Sequence, residues 1–276
     1  MKTLYVSDLD GTLLGPDARL SDYTATTLNR LIEGGLCFSY ATARSLSSAS
    51  IVTQGLSAEL PVILYNGAFT RNAQSGAVLD SVHFGAALTA EVSESLLRYR
   101  VYPLVYAHIG GVERVSHFAG HETDGIRAYL DARPGDARFR AVSTEAELFE
   151  GDVFYFSCID GRAQLARCHD HFAGDDRFNC LFQPDIYNPA EHWLELMPKA
   201  ATKGNAILRL KSLLGCDRIV SFGDGLNDMP MFAISDECYA VENAVDELKR
   251  AATAVIPSNR EDGVAHFLVE RHNLRS

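Results

Sequence analysis

Asp8 and Asp10 stand two residues apart in Asp8-Leu9-Asp10-Gly11-Thr12, directly after the short apolar run Leu4-Tyr5-Val6-Ser7. At an extended strand end that spacing sends both side chains from the same face. Two carboxylates held so close repel each other unless a shared proton or a cation relieves them. A divalent, oxygen-seeking ion is the usual solution, and magnesium is the natural candidate. Gly11 and Thr12 suit a tight turn whose N–H groups and hydroxyl hold an anion's oxygens. In isolation Asp-x-Asp also fits an acidic helix cap or loop. Its place after a buried strand points to chemistry, because open α/β sheets bind ligands at the carboxyl edge of their strands.

The elements that must carry this pair follow from hydrophobic pattern. Residues 4–7 read as a buried parallel strand. Ser21 offers an N-cap to a helix running to Gly34-Gly35, with Leu28, Leu31 and Ile32 on one face. A second strand spans 36–40, and a third apolar run, 61–65, closes on the turn dipeptide Asn66-Gly67. Strand alternating with helix predicts a parallel α/β sheet. From about Leu79 the rhythm changes. Helices near 91–100, 120–132 and 162–172 separate apolar runs at 104–109, 153–159 and 178–182, the pattern of a second, half-antiparallel layer. Beyond His192 the parallel rhythm is expected to return, with strand-like Trp193-Leu194-Glu195-Leu196, a helix over 203–214, a strand over 218–222 and strands near Tyr239 and Ala254. The expected organisation is a core of residues 1–82 and 190–276 split by an insertion at 83–189.

Composition narrows the class. A 276-residue chain that is 47% hydrophobic and 22% charged can bury a sizeable interior, and no segment is apolar for long enough to span a membrane. The first eight residues carry one basic residue and reach the acidic cluster too early for a secretory hydrophobic region, which predicts a cytoplasmic protein. Six scattered cysteines without a C-x-x-C pair read as reduced, buried small hydrophobes. With 25 Lys+Arg against 36 Asp+Glu, the net charge of -11 argues against a nucleic-acid partner. A phosphorylated substrate then needs local positive charge from a metal, a lysine or a helix N-terminus.

Asp8-Leu9-Asp10-Gly11-Thr12-Leu13-Leu14 resembles the first motif of the haloacid dehalogenase superfamily of phosphatases. The resemblance implies that Asp8 attacks phosphorus to form an aspartyl-phosphate, while Asp10 protonates the leaving oxygen and later deprotonates water. Three further segments match in order. Thr42, in Ala41-Thr42-Ala43-Arg44, is placed to donate to a phosphoryl oxygen at the start of the next helix; Ala43 departs from the glycine usual there. Lys203, at a helix start where the helix dipole disfavours it, matches the lysine that neutralises the carboxylates and the phosphoryl group; the competitor Lys199 reads as a solvated loop residue. In Ser221-Phe222-Gly223-Asp224-Gly225-Leu226-Asn227-Asp228, the resemblance makes Asp224 a direct magnesium ligand, Asp228 a ligand through water or a support, and Asn227 the residue that orients the lysine or the phosphate.

An insertion between the second and third motifs corresponds to a type IIB cap, as in Cof-type sugar phosphatases. Tyr65-Asn66-Gly67-Ala68, Asn243-Ala244 and the segment 257–265 match the same branch. The implied fold is α/β, a Rossmann-like parallel-sheet core with an inserted α+β cap. Asn66 is expected to contact phosphate, and Arg44 either substrate or a structural ion pair, with the ion pair preferred. His108, His117 and His121 lack metal-ligand spacing, and Glu195 is assigned to structure first. The implied magnesium ligands are Asp8, the Asp10 main-chain carbonyl, Asp224 and Asp228. The expected activity is hydrolysis of small phosphorylated metabolites, sugar phosphates by default. A phosphomutase, a flavin or pyridoxal phosphate phosphatase and, more remotely, a non-catalytic phosphometabolite sensor are the alternatives. The sequence does not specify the oligomeric state.

Overall fold

The computed structural model describes residues 1–57, 60–185, 188 and 190–272. Two compact units emerge, one formed by Met1–Ser81 with Ala200–Ser276, the other by Val82–Lys199.

The first unit is built on five parallel strands in the order Ala254–Ile256, Glu237–Val241, Arg218–Gly223, Thr3–Ser7 and Cys37–Tyr40. The central strands are apolar because both faces are covered: Leu4, Val6, Val220 and Phe222 are fully buried, each contributing roughly 1.5–3 kcal/mol of burial. The expected helix is present as Asp22–Glu33, and Ser21 caps it by accepting the Thr24 N–H, a contact worth about 1 kcal/mol. Pro61–Leu64 lies beside the edge strand through an Ala41–Ile63 bridge. It then turns into an antiparallel hairpin with Phe69–Asn72 and Val78–Ser81, two strands the sequence reading did not separate. The helix Lys203–Leu214 coincides with its expected span.

The second unit carries a six-stranded sheet in the order Phe178–Pro184, Glu191–Pro198, Asp152–Gly161, Leu104–Ile109, Val112–Phe118 and Phe139–Val142. All its pairings are antiparallel except the last. Here the sequence reading requires correction. The segment Trp193-Leu194-Glu195-Leu196 does not return to the parallel core but pairs antiparallel on both sides inside this second sheet. The boundary expected at 189/190 therefore falls at Lys199/Ala200; Pro189 itself lies outside the described residues. The reason is visible in the alternation. Leu194 and Leu196 enter the unit's core beside Phe156 and Cys158, while Trp193 and Glu195 take the opposite face, the period-two pattern of an antiparallel strand. Among the described residues no helix is long and apolar enough to cross a membrane.

In the first unit Glu237 ties the Glu237–Val241 strand to the C-terminal helix Gly263–Arg271. Its carboxylate accepts from Arg271 at 2.5 and 2.7 Å, from Arg218 at 2.9 Å and from the Tyr239 hydroxyl at 2.6 Å. The Arg271 hydrogen bonds, followed by that of Tyr239, hold its carboxyl down at about 2. A carboxyl depressed on folding stabilises the native state above its unfolded value of 4.5, and that stability is lost as pH falls toward the folded value. Glu237→Gln is expected to lower the urea midpoint at pH 7. The difference from wild type should close between pH 4.5 and about 2, as followed by circular dichroism.

Candidate active site

The carboxylate loop begins where the Thr3–Ser7 strand ends. Asp8 N–H donates to Phe222 O at 2.9 Å, the last rung before the chain turns away. Gly11 then adopts a φ of +79°, and a Cβ there would sit 2.3 Å from Asp224 Oδ2, so this position demands glycine both for its backbone and for its neighbour. The turn changes the expected geometry. Asp8 and Asp10 do not share a face, because the strand has ended before either: Asp8 points inward and is 5% exposed, while the Asp10 side chain is 49% exposed.

Asp8 meets Lys203 and two further acids. Lys203 Nζ donates to Asp8 Oδ1 at 2.5 Å and to Asp228 Oδ1 at 2.7 Å, and both Lys203 and Asp228 are buried. The second Asp228 oxygen accepts the N–H groups of Asp224 and Gly225 at 2.9 and 3.0 Å, which shapes the loop after the Arg218–Gly223 strand. Thr12 Oγ1 donates to Asp224 Oδ1 at 2.9 Å, so this hydroxyl braces the acid and is not left over for an anion.

Electrostatics follow from burial. Burial pushes the Asp8 carboxyl up to about 8, against the pull of Lys203 and with help from Asp228 and Asp224. It pushes Asp224 upward too, opposed by the Thr12 hydrogen bond. For Lys203 burial works toward losing the proton, but Asp8 and Asp228 outweigh it and hold the ammonium charged, above its ordinary range. One oxygen each from Asp8, Asp224 and Asp228 lies within 4.8 Å of the others. Lys203 offsets one of these three charges when all are ionised. The remainder matches a divalent cation, and an all-carboxylate donor set suits a hard one. The Asp10 carboxylate is not part of this group.

Asp10 is instead clasped by Arg44, with Nε to Oδ2 at 2.7 Å and Nη2 to Oδ1 at 2.6 Å, a two-pronged pair. Arg44 Nη1 also donates to Ser48 Oγ at 3.0 Å. The preferred reading of Arg44 as an ion-pair residue thus has a defined partner. Thr42 lies beside it but does not start a helix: the next one, Leu46–Val52, is capped by Ser45, and Thr42 Oγ1 accepts the Arg44 N–H at 3.1 Å. Asn66 reaches the same corner, its N–H donating to Thr42 O at 2.9 Å. Tyr65 and Asn66 have φ of +49° and +52°, and the side-chain oxygen of Asn66 is buried without a hydrogen-bond partner. Strain and an orphaned amide at one turn are marks of a functional position.

Asn227, expected to orient the lysine or the phosphate, makes no hydrogen bond to Lys203. It is exposed beside Gly225, and the hydrogen bonds that orient Lys203 come from Asp8 and Asp228. Two residues quoted only as family positions prove to brace the loop. Asn243 Nδ2 donates to Gly11 O at 2.7 Å while its Oδ1 accepts the Asn259 N–H, and Asn259 Nδ2 donates to Leu14 O at 2.8 Å. Their signal in sequence was an amide next to a turn, too common to rank alone.

A family model described as haloacid dehalogenase-like hydrolase matches residues 5–268. The 5-amino-6-(5-phospho-D-ribitylamino)uracil phosphatase YitU of Bacillus subtilis (strain 168) is 27% identical over 286 residues, covering 98% of each chain. The HMP-PP phosphatase of Klebsiella pneumoniae (strain 342) is 26% identical, covering 97% of this chain and 95% of its own. Among solved structures, a Eubacterium rectale protein superposes with a TM-score of 0.80 at 20% identity, covering 98% of this chain and 99% of the other. A Thermotoga maritima protein does so with 0.76 at 24%, covering 98% and 97%. These likenesses speak for the fold, an α/β parallel-sheet core with an added antiparallel sheet. The enzyme class read from the motifs, a phosphoric monoester hydrolase, agrees with the relatives' names. With the family model spanning nearly the whole chain, this protein belongs to the haloacid dehalogenase-like hydrolases.

Proposed function

We propose that the chain is a magnesium-dependent phosphatase of small phosphorylated metabolites, acting through an aspartyl-phosphate on Asp8, with sugar phosphates and related polyol phosphates as its first candidates. The observation that carries this reading is the cluster of Asp8, Asp224 and Asp228, the first and last buried and held by Lys203, at a strand's carboxyl edge. The polyol preference draws support from the YitU relative, whose named substrate bears a 5-phospho-D-ribityl chain.

Each residue has a task. Lys203 holds Asp8 Oδ1, which leaves the other carboxylate oxygen to attack phosphorus as the bond to the ester oxygen breaks. The leaving oxygen takes a proton from Asp10. That step requires the Arg44 pair to open, and a phosphoryl dianion is a competing partner for the same guanidinium. In the second half Asp10 takes a proton from water, whose oxygen attacks the phosphoryl group and frees Asp8 and inorganic phosphate. Asn66 offers its unpartnered side-chain oxygen as an acceptor for a substrate hydroxyl, and Thr42 lies beside Asn66 and Arg44 with its hydroxyl toward the same corner. Magnesium, when held by Asp8, Asp224 and the Asp10 main-chain carbonyl with Asp228 behind them, supplies charge stabilisation for the transferring group.

Two measurements test this. Across a panel of sugar, polyol and cofactor phosphates with magnesium, the wild type should release phosphate from at least one. Asp8→Asn should lower that rate by about a thousandfold or more, since an amide cannot form the intermediate; near-native turnover in the variant, or failure of every monoester, overturns the proposal. Magnesium affinity should also depend on pH. A carboxyl raised to about 8 is protonated below that value and must release its proton to become a ligand. Binding measured calorimetrically should weaken by roughly tenfold per pH unit below about 8 and level off above it. A flat profile from pH 6 to 9 contradicts the assignment of Asp8 as ligand.

A further inference from the structure

Six cysteines occur in the chain, and among the described residues one pair of thiols is in contact: Cys216 Sγ lies 3.5 Å from Cys37 Sγ. Cys37 opens the Cys37–Tyr40 strand, where it sits opposite Leu4 in the parallel register. Cys216 lies in the Gly215-Cys216-Asp217 connection between the helix Lys203–Leu214 and the Arg218–Gly223 strand. The backbone around each is anchored: Leu36 N–H donates to Leu31 O, Cys216 N–H to Lys211 O, and Asp217 N–H to Lys2 O. The pair therefore occupies the amino edge of the parallel sheet, the opposite edge from Asp8. It also joins two stretches of chain separated by the whole second unit, one before Val82 and one after Lys199.

We propose that Cys37 and Cys216 form a reversible disulfide when the protein meets a two-electron oxidant such as a peroxide, tying together the two segments of the first unit. A disulfide bond is about 2.05 Å long, so closure brings the sulfurs together by about 1.5 Å from their 3.5 Å contact. One thiolate attacks a peroxide oxygen, breaking the O–O bond and giving a sulfenic acid and one water. The second thiolate displaces the sulfenic hydroxyl, which leaves as the second water. Two thiols thus lose two protons and two electrons, and hydrogen peroxide becomes two waters. An external thiol reverses the reaction through a mixed disulfide.

Burial and the neighbouring Cys216 push the Cys37 thiol up to about 11, with Lys2 opposing them. Thiolate is therefore scarce at neutral pH, and closure is slow there and faster in alkali. A slow pair, with Cys216 buried and Cys37 half-buried, at the far end of the strands from Asp8 suits a lasting structural tie and not a rapid on/off signal. Its constraint on the unfolded chain is large, because it bridges a sequence separation of 179 residues.

The test uses the full-length protein, treated with hydrogen peroxide at pH 8, quenched by alkylation in denaturant and read by mass spectrometry. The expected result is loss of two of the six alkylatable thiols, an intact mass before alkylation lower by about 2 Da, and a peptide linking Cys37 to Cys216. After proteolytic cleavage within 82–199, the flanking fragments should migrate together without reductant and separately with it. The melting temperature of the oxidised wild type should rise by several degrees. Cys37→Ser and Cys216→Ala should each abolish all five changes. Phosphate release, in which neither thiol takes part, reports that the variants are folded. The proposal is overturned if six thiols remain alkylatable, if the link forms among Cys158, Cys168 and Cys180 instead, or if Cys37 accumulates sulfinic acid while Cys216 stays free.

Discussion

A buried ammonium between two buried carboxylates is the interaction on which the first unit's chemistry depends. Removing an ion from water costs several kcal/mol, and deleting one member of such a group typically costs 3–5 kcal/mol because its partners are left uncompensated. Lys203, Asp8 and Asp228 therefore require one another in place. Three separate elements meet this demand. The Thr3–Ser7 strand delivers Asp8, the first turn of Lys203–Leu214 delivers the lysine, and the loop after Arg218–Gly223 delivers Asp228. The lysine's poor helix position is accounted for once its two partners are seen.

Close backbone approach enforces that arrangement. A Cβ on Gly67 would lie 2.2 Å from Thr202 O, so the strained Tyr65–Gly67 turn rests directly on the residue that caps the lysine's helix. A Cβ on Gly204 would lie 2.3 Å from Pro230 O, which brings the same helix against the segment after Asp228. These contacts leave no slack, and rigidity is what a site needs if three acids are to stay together before any cation arrives.

The motif residues were legible because chemistry restricts both their type and their order: Asp8, Lys203, Asp224 and Asp228 stand together as their segments suggested. Geometry that depends on a turn was not legible. Period-two spacing put Asp8 and Asp10 on one face, but the strand had already ended and Gly11 redirected the chain. Thr42, expected at the start of the next helix, stands three residues before Ser45, which caps it. The boundary near 190 failed for a different reason. An apolar strand looks the same in either sheet over four residues, and only the Trp-Leu-Glu-Leu alternation, read with its neighbours' pairing, tells them apart. Asn227 was carried over from the resemblance alone, and no local requirement of its own supported it.

The central strand Thr3–Ser7 has Cys37–Tyr40 on one side and Arg218–Gly223 on the other. A ribosome makes the first two early and the third only after the entire second unit has been synthesised. At about 5–20 residues per second the nascent chain carries a half-paired central strand for roughly ten to forty seconds. Meanwhile the second unit, contiguous in sequence, has all its strands available before the first unit has its last three. Vectorial synthesis therefore favours completion of the inserted sheet first and assembly of the catalytic carboxylates last, which makes the waiting N-terminal edge the stretch most in need of protection from misassociation in the cell.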